Sequence, residues 1–135
     1  TYYPMSGMNL AFRREIAPLM YFMLMGLTYP YDRFGDIWAG IVSKKVLDYF
    51  GYGVKSGNPL VTHTRASNVW VNLRKEAEAL EVNERFWKAV DSVQLSGSTF
   101  AVCYKQIADG LAASMEGSYF TELAQAMREW LELFE

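Results

Sequence analysis

Cysteine and histidine are almost absent from this sequence. Cys103 and His63 are single examples among 135 residues, so the chain can form no internal disulfide and has no zinc-binding spacing. Such low cysteine usage is typical of a reducing compartment, and we expect a cytoplasmic protein. The most apolar run, residues 16–27, is interrupted by Pro18 and Gly26 and is shorter than the roughly 18 apolar residues of a membrane-spanning helix. We therefore expect no transmembrane segment.

An excess of basic charge is also lacking. The 13 Lys and Arg residues stand against 15 Asp and Glu residues, which gives a formal net charge of -2 at pH 7. Proteins that bind nucleic acid usually concentrate Lys and Arg on one face. The charge balance therefore excludes nucleic acid as an expected partner.

Common catalytic motifs are missing as well. The sequence contains no phosphate-binding glycine loop, no Gly-x-Ser-x-Gly turn, no His-Glu-x-x-His helix and no Asp-x-Asp pair. Apolar residues are plentiful, at 51% hydrophobic and 16% aromatic, and a chain of this length can build one core. We therefore expect residues 1–135 to form a single domain.

Strand signals are confined to the first half of the chain. Alternating character predicts a strand at about residues 8–12, and two short extended pieces are predicted at 54–55 and 60–63. Two or three such pieces make a small sheet that does not easily stand alone. They predict self-association by strand pairing near residues 8–12 or 54–62. The N-terminal sequence, which does not begin with methionine, also suggests a piece of something longer.

Helical spacing dominates the rest of the sequence. Asn68 or Ser67, Asn83 and Ser98 are suitable N-caps for successive helices. Apolar residues at three- and four-residue steps predict helices at residues 15–25, 36–50, 69–80, 84–93, 98–115 and 118–134. The sequence thus predicts an α/β fold that is rich in helix, with its helices concentrated toward the C-terminus.

Asp36 stands at the start of one predicted helix, where a carboxylate has two interpretations. It fits an N-cap, which contributes about 1 kcal/mol. It also fits a carboxylate at the end of a sheet strand, placed to accept a proton or to bond a sugar hydroxyl. Trp38 likewise fits either the core or a stacking platform for a sugar.

The other candidate site residues cluster around the predicted strand ends. Arg65 suits bidentate binding of a diphosphate, and His63 suits completing the coordination of a divalent ion. A surface salt bridge is the alternative for Arg65, and a structural histidine is the alternative for His63. The remaining polar candidates for substrate binding are Asn9, Asn68 and Lys75.

Four segments together resemble the reversibly glycosylated polypeptide family, whose plant members are UDP-arabinopyranose mutases. The segments are MSGMNLAF at 5–12, RFGDIWAG at 33–40, HTRASN at 63–68 and VNLRKE at 71–76. The resemblance continues in the same order to Ala126, Met127 and Trp130. It implies the C-terminal portion of a glycosyltransferase-A-like fold, with a small incomplete sheet in residues 1–68 on the acceptor side and a helical bundle in residues 69–135.

The resemblance also implies a chemistry and its site. Family members act on UDP-sugars as mutases or become self-glycosylated, and Mn or Mg is the expected cation of the full-length protein. Asp36 would face the sugar, while His63 and Arg65 would reach the metal and the diphosphate. The family's paired Asp residues appear here as Gly35 and Asp36, so any role that needs two carboxylates is in doubt.

Two functions remain open on the sequence. The first is part of a UDP-sugar mutase or glycosyltransferase-like protein that is a homo-oligomer and, in plant relatives, peripheral to Golgi membranes. It would be inactive or weakly active without the nucleotide-binding half, which carries the Asp-x-Asp motif. The alternative is a non-catalytic helical interaction or oligomerisation module in which the acidic and aromatic residues only cap and pack.

Overall fold

The described part of the chain is built from helices. A computed structural model describes residues 7, 9–26, 29–58, 60–62, 64 and 68–134. Two short 3-10 helices, Arg14–Leu19 and Asp32–Phe34, precede the longer elements. The α-helices are α1 (Gly35–Tyr49), α2 (Val69–Ser92), α3 (Phe100–Ser114) and α4 (Ser118–Glu132). In these residues no helix combines the length and apolarity needed to cross a membrane.

The prediction of an α/β fold with a small incomplete sheet is wrong. No β-strand occurs in the described residues, and residues 9–12, 54–55 and 60–62 have no regular structure. Isolated extended pieces this short gain too little from pairing to stabilise a sheet. Val54 packs its side chain on the helical core instead. The small sheet that the glycosyltransferase-A-like expectation placed in residues 1–68 is thus absent from the described residues, and self-association by strand pairing loses its basis.

The helix predicted at residues 15–25 is also wrong beyond its first half. A 3-10 helix ends at Leu19, one residue after Pro18, which cannot donate a backbone hydrogen bond. Met23 and Leu24 follow with φ of 53° and 59°, in the left-handed region that costs about 1–2 kcal/mol per residue. Both side chains are buried, and burial of each contributes about 2 kcal/mol in return. Packing therefore overrides the local helical preference.

Helix α2 replaces two predicted helices. It runs unbroken through Asn83, which was predicted to cap a separate helix at 84–93. Asn68 is confirmed as its N-cap, since its side chain accepts from the backbone N–H of Trp70 and Val71. The cap of α3 is Thr99, one residue after the predicted Ser98. The last helix is confirmed at Ser118–Glu132.

The core is organised around an aromatic cluster. Trp38 is fully buried and stacks on Phe86 with ring centroids 4.2 Å apart. Tyr31, Tyr119 and Phe120 surround this pair, which joins the start of α1 to α2 and α4. Aromatic pairs in such arrangements add about 0.5–1.5 kcal/mol each beyond the burial of their area. The cluster thus fixes the position of the segment that contains Asp36.

Side-chain donors from distant helices bind carbonyl oxygens in residues 18–23, the end of the first 3-10 helix and the irregular segment that follows it. Ser43 donates to the carbonyl oxygen of Leu19 at 2.7 Å, and Tyr119 donates to that of Met23 at 3.3 Å. Trp130 Nε1 donates to the carbonyl oxygen of Pro18 at 3.0 Å. Backbone oxygens that lack helical partners need such donors when they are buried.

Tyr104 carries an unsatisfied hydroxyl in the core. It is fully buried, and its oxygen has no hydrogen-bond partner among the residues that the structure describes. Burial raises the pKa of Tyr104 well above its usual value, so the hydroxyl stays neutral. We expect Tyr104→Phe to raise the free energy of unfolding by about 1 kcal/mol, because it removes a desolvated polar atom. Urea denaturation measures the change.

Tyr119→Phe is the matched control for that substitution. The Tyr119 hydroxyl does have an acceptor, the carbonyl oxygen of Met23, so its removal is expected to lower the free energy of unfolding by about 1 kcal/mol. Equal losses in both variants would contradict the assignment of an unpaired hydroxyl to Tyr104.

Candidate functional site

Asp36 lies in the first turn of α1 and is not its N-cap. The 3-10 helix Asp32–Phe34 leads directly into α1, so the cap position falls on Phe34. The half-buried carboxylate of Asp36 accepts from the backbone N–H of Ile37 at 2.9 Å. Negative charge at a helix N-terminus is stabilised by the helix dipole by about 0.3–1 kcal/mol. Asp36 is thus an acid near the start of the helix, as predicted, but it lies in the first turn and not at the predicted N-cap position.

Gly35 explains why only one carboxylate occupies this turn. It is buried, and a Cβ at this position would lie 2.7 Å from the Cβ of Met25. The same Cβ would overlap the carbonyl oxygen of Phe22. Glycine is therefore required by close packing of the segment 22–25 on the start of α1. The turn therefore has one carboxylate because packing leaves no room for a side chain at residue 35. The local backbone conformation alone would not require glycine there.

An ion pair joins the start of α1 to the first half of α2. Arg33 Nη2 lies 3.4 Å from Glu76 Oε1, with both side chains partly exposed. The run at residues 74–78 was predicted to be a solvated face, but Glu76 within it is half-buried. Lys75, the next position, is exposed beside this junction. The structure thus brings the helix of Asp36 and the helix of Lys75 together here, and sequence reasoning missed Arg33 and Glu76.

Asn68 lies at a distance from this junction. Eight residues of helix separate it from Glu76, which corresponds to roughly 12 Å along the axis of α2. Its side-chain oxygen is occupied by the two N–H groups that it caps. Asn68 is exposed, and its observed contact is structural.

Trp38 offers no surface to a ligand in this arrangement. Its exposed fraction is 0%, and its Nε1 donates to Asn83 Oδ1 at 2.9 Å. The core interpretation of Trp38 is thus confirmed by its burial. Asn83 is a partner that helical periodicity did not reveal. In the structure its amide is half-buried at the middle of α2, where such a group needs a hydrogen bond.

Asn9 belongs to a separate groove. Residues 9–13 and the loop at 52–58 line an opening of about 560 Å³ that also contacts Leu47. Leu47 lies near the end of α1, eleven residues or roughly 16 Å from Asp36 along the helix. Tyr52 in the groove donates to Glu15 at 3.0 Å and lies under the guanidinium of Arg13, 5.8 Å from its ring centroid. Asn9 and Asp36 are therefore not parts of one cluster.

The expected metal and diphosphate residues fall elsewhere. His63 and Arg65 lie outside the described residues, so their roles stay predictions. Within the described part of the chain, no three His, Cys, Asp or Glu side chains are grouped closely enough to hold a metal ion. The described residues alone therefore do not supply a site for a divalent cation.

Comparison with known proteins supplies the family. The chain is 44% identical over 138 residues to the probable UDP-arabinopyranose mutase 4 of Arabidopsis thaliana, covering 98% of this chain and 38% of that relative. It is 40% identical to the UDP-arabinopyranose mutase 1 of the same plant, covering 100% of this chain and 39% of the relative. For the UDP-arabinopyranose mutase 1 of Oryza sativa subsp. japonica the identity is 38%, with 100% and 38% covered.

The chain thus spans about 38% of the length of these curated relatives. No solved structure matches it. The model of the family described as "Reversibly glycosylated polypeptide" matches residues 1–135, the full length of the sequence. This chain belongs to the reversibly glycosylated polypeptide family.

Proposed function

We propose that this chain forms the helical part of a UDP-sugar mutase or a self-glycosylating, glycosyltransferase-like protein that acts on nucleotide-linked sugars. The observation that carries the proposal is the identity of 38–44% to UDP-arabinopyranose mutases across nearly the whole chain. Because the chain spans only about 38% of their length, the activity belongs to a longer protein in the relatives. The helices supply the surface on which Asp36 is held.

In this proposal Asp36 acts on the sugar. A mutase breaks and reforms the bond between the anomeric carbon and the phosphate oxygen, and positive charge develops on the sugar in the transition state. A carboxylate close to that charge stabilises it more than it stabilises the substrate. Asp36 suits this role because no side chain forms an ion pair with it among the described residues. Its helix start is also anchored firmly by Trp38.

The proposal also assigns residues to the diphosphate of UDP and to a divalent cation. Arg65 would bind the diphosphate of UDP, Lys75 would add charge from the neighbouring helix, and Asn9 and Asn68 would bind more distant polar groups. His63 would contribute to an Mn or Mg site whose other ligands come from outside the described residues. Such an ion would supply charge stabilisation to the departing UDP.

Calorimetry tests whether nucleotide-sugar binding needs more than this chain. UDP-arabinopyranose is titrated, with manganese present, into the chain alone and into a protein in which it is joined to the part of a relative that it does not span. We expect binding in the joined protein and little in the chain alone. Absence of binding in both, with both folded by circular dichroism, would overturn the proposal.

Asp36→Asn in the joined protein separates chemistry from folding. Asparagine keeps an oxygen for the N–H of Ile37 and removes the charge, so we expect the melting temperature to hold and the turnover number to fall roughly 100-fold. Asp48→Asn is the matched control, since Asp48 is an exposed acid at the other end of α1 that pairs with Lys44. Equal activity in all three proteins would favour the alternative, a non-catalytic interaction module.

A further inference from the structure

The groove between residues 9–13 and the loop at 52–58 lies apart from Asp36. Its opening of about 560 Å³ is within the usual range for small-molecule sites, about 300–1,000 Å³. It touches α1 through Leu47, near the end of that helix, whereas Asp36 lies in the first turn. A ligand in this groove is therefore distinct from the sugar proposed for Asp36.

The floor of the groove is apolar because it is part of the surface of the helical core. Ile16, Met20 and Leu47 line it and are buried, and the half-buried side chains of Leu10 and Val54 pack against the same core. An apolar group that enters the groove is removed from water against these side chains, which favours binding by about 25 cal/mol per Å². The floor therefore selects a ligand with an apolar part.

Both charged side chains that line the groove are cations. Arg13 belongs to the segment 9–13 and Lys55 to the facing loop, and no Asp or Glu is among the described residues that line the opening. The chain as a whole has more acidic residues than basic ones, 15 against 13, so this local excess of positive charge is not a reflection of composition. The charge of the groove therefore selects an anion.

The polar groups of the loop are available to such an anion. Lys55, Ser56 and Asn58 form no side-chain hydrogen bond or ion pair with any part of the chain that the structure describes. Arg13 does pair with Glu15, but at 3.4 Å and with side chains 74% and 50% exposed the pair is weak. An ammonium, a hydroxyl and an amide on one short loop can each donate to a different oxygen of one anion.

A phosphate ester suits these donors better than a carboxylate does. A phosphate monoester has three terminal oxygens and between one and two negative charges at neutral pH, whereas a carboxylate has two oxygens and a single charge. Aromatic side chains also line the groove, namely Tyr52 and Phe12, which is 48% exposed. Rings of this kind stack on planar groups.

We propose that this groove binds the phosphate monoester of a planar, aromatic group. The phosphate lies at Lys55, Ser56 and Asn58, and the ring lies on the apolar floor. A UDP-sugar is not such a ligand, because both of its phosphates are esterified on two sides and neither is terminal. The inference is therefore independent of the sugar chemistry proposed above, and either can fail without the other.

Nuclear magnetic resonance of the isotope-labelled 135-residue chain, titrated with phenyl phosphate, tests the proposal. We expect saturable shifts of the amide signals of residues 9–13 and 52–58, with a dissociation constant of about 0.3 mM. Inorganic phosphate lacks the ring and is expected to bind at least about tenfold more weakly. Equal affinity for inorganic phosphate, or shifts centred on the junction of Arg33 and Glu76, would overturn the proposal.

Lys55→Ala is expected to weaken the binding of phenyl phosphate about tenfold, because it removes a cation from the phosphate. Lys105→Ala is the matched control, since Lys105 is also exposed and forms no ion pair within the described residues, but lies on α3 outside the groove. Circular dichroism checks that both variants are folded. Equal weakening by the two substitutions would mean that only net charge matters, and the site would be ruled out.

Acidification separates a phosphate from other anions. A phosphate monoester loses its second charge with a pKa of about 6, so we expect phenyl phosphate to bind roughly threefold more weakly at about pH 5 than at about pH 7.5. Phenyl sulfate keeps one charge over this range and controls for titration of Glu15, which lies beside Arg13. An affinity for phenyl phosphate that follows the sulfate at every pH would contradict a site for the dianion.

Discussion

Gly35→Asp is expected to lower the free energy of unfolding by about 4 kcal/mol. A side chain at this position would lie 2.7 Å from the Cβ of Met25 and would overlap the carbonyl oxygen of Phe22. Neither atom is the end of a flexible side chain, so relief requires a shift of the backbone. The new carboxylate would also lose hydration in a buried position. Urea denaturation at neutral pH measures the difference.

Gly57→Asp is the matched control for this prediction. Gly57 is exposed, and a Cβ added there meets nothing within 4 Å. We expect a change within about 0.5 kcal/mol. A Gly35→Asp variant as stable as this control would show that residues 22–25 yield easily. Its expected instability means that the paired carboxylates of the family cannot be restored in this chain by one substitution.

Trp38→Ala is expected to lower the free energy of unfolding by about 4 kcal/mol. The substitution removes a fully buried ring that stacks on Phe86 at 4.2 Å. It also leaves the half-buried side-chain oxygen of Asn83 without its donor. The cavity would open where α1, α2 and α4 meet. Circular dichroism during denaturation detects the loss through helix content.

Trp70→Ala removes the same atoms from an exposed site. Trp70 is 70% exposed, so its loss should change the free energy of unfolding by less than about 0.5 kcal/mol. Similar losses at Trp38 and Trp70 would contradict the central place of the Trp38 cluster in the fold.

Helices were predictable from sequence where the residues that favour the helix lie within the helical segment itself. Asn68 is a local N-cap, and the last helix repeats apolar residues at helical steps, so both were found from sequence. For Trp38 the sequence left the core and a sugar platform open, and its burial supports the core. These features depend on residues within about one turn of each other.

Features that depend on distant residues escaped prediction. Met23 and Leu24 adopt left-handed backbone because their side chains are buried by helices far along the chain. Asparagine is a common helix cap, so the sequence suggested that role for Asn83. Only the structure shows that Asn83 instead accepts a hydrogen bond from Trp38. The short apolar runs at 54–55 and 60–62 resemble strands, yet a strand requires a neighbour that a local pattern cannot reveal. For the site, the predicted chemistry of Asp36 depends likewise on groups outside the described residues.

The hydrogen bonds that hold residues 18–23 set an order of events in folding. Their donors, Ser43, Tyr119 and Trp130, lie 24, 96 and 112 residues further along the chain than the acceptors. During synthesis this segment leaves the ribosome well before α4 is made. The carbonyl oxygens of Pro18 and Met23 therefore stay hydrated until Trp130 and Tyr119 are available. Proteins rich in contacts of long sequence separation fold more slowly than proteins dominated by local contacts. We therefore expect residues 18–23, although made early, to complete their native hydrogen bonds only after α4 has formed.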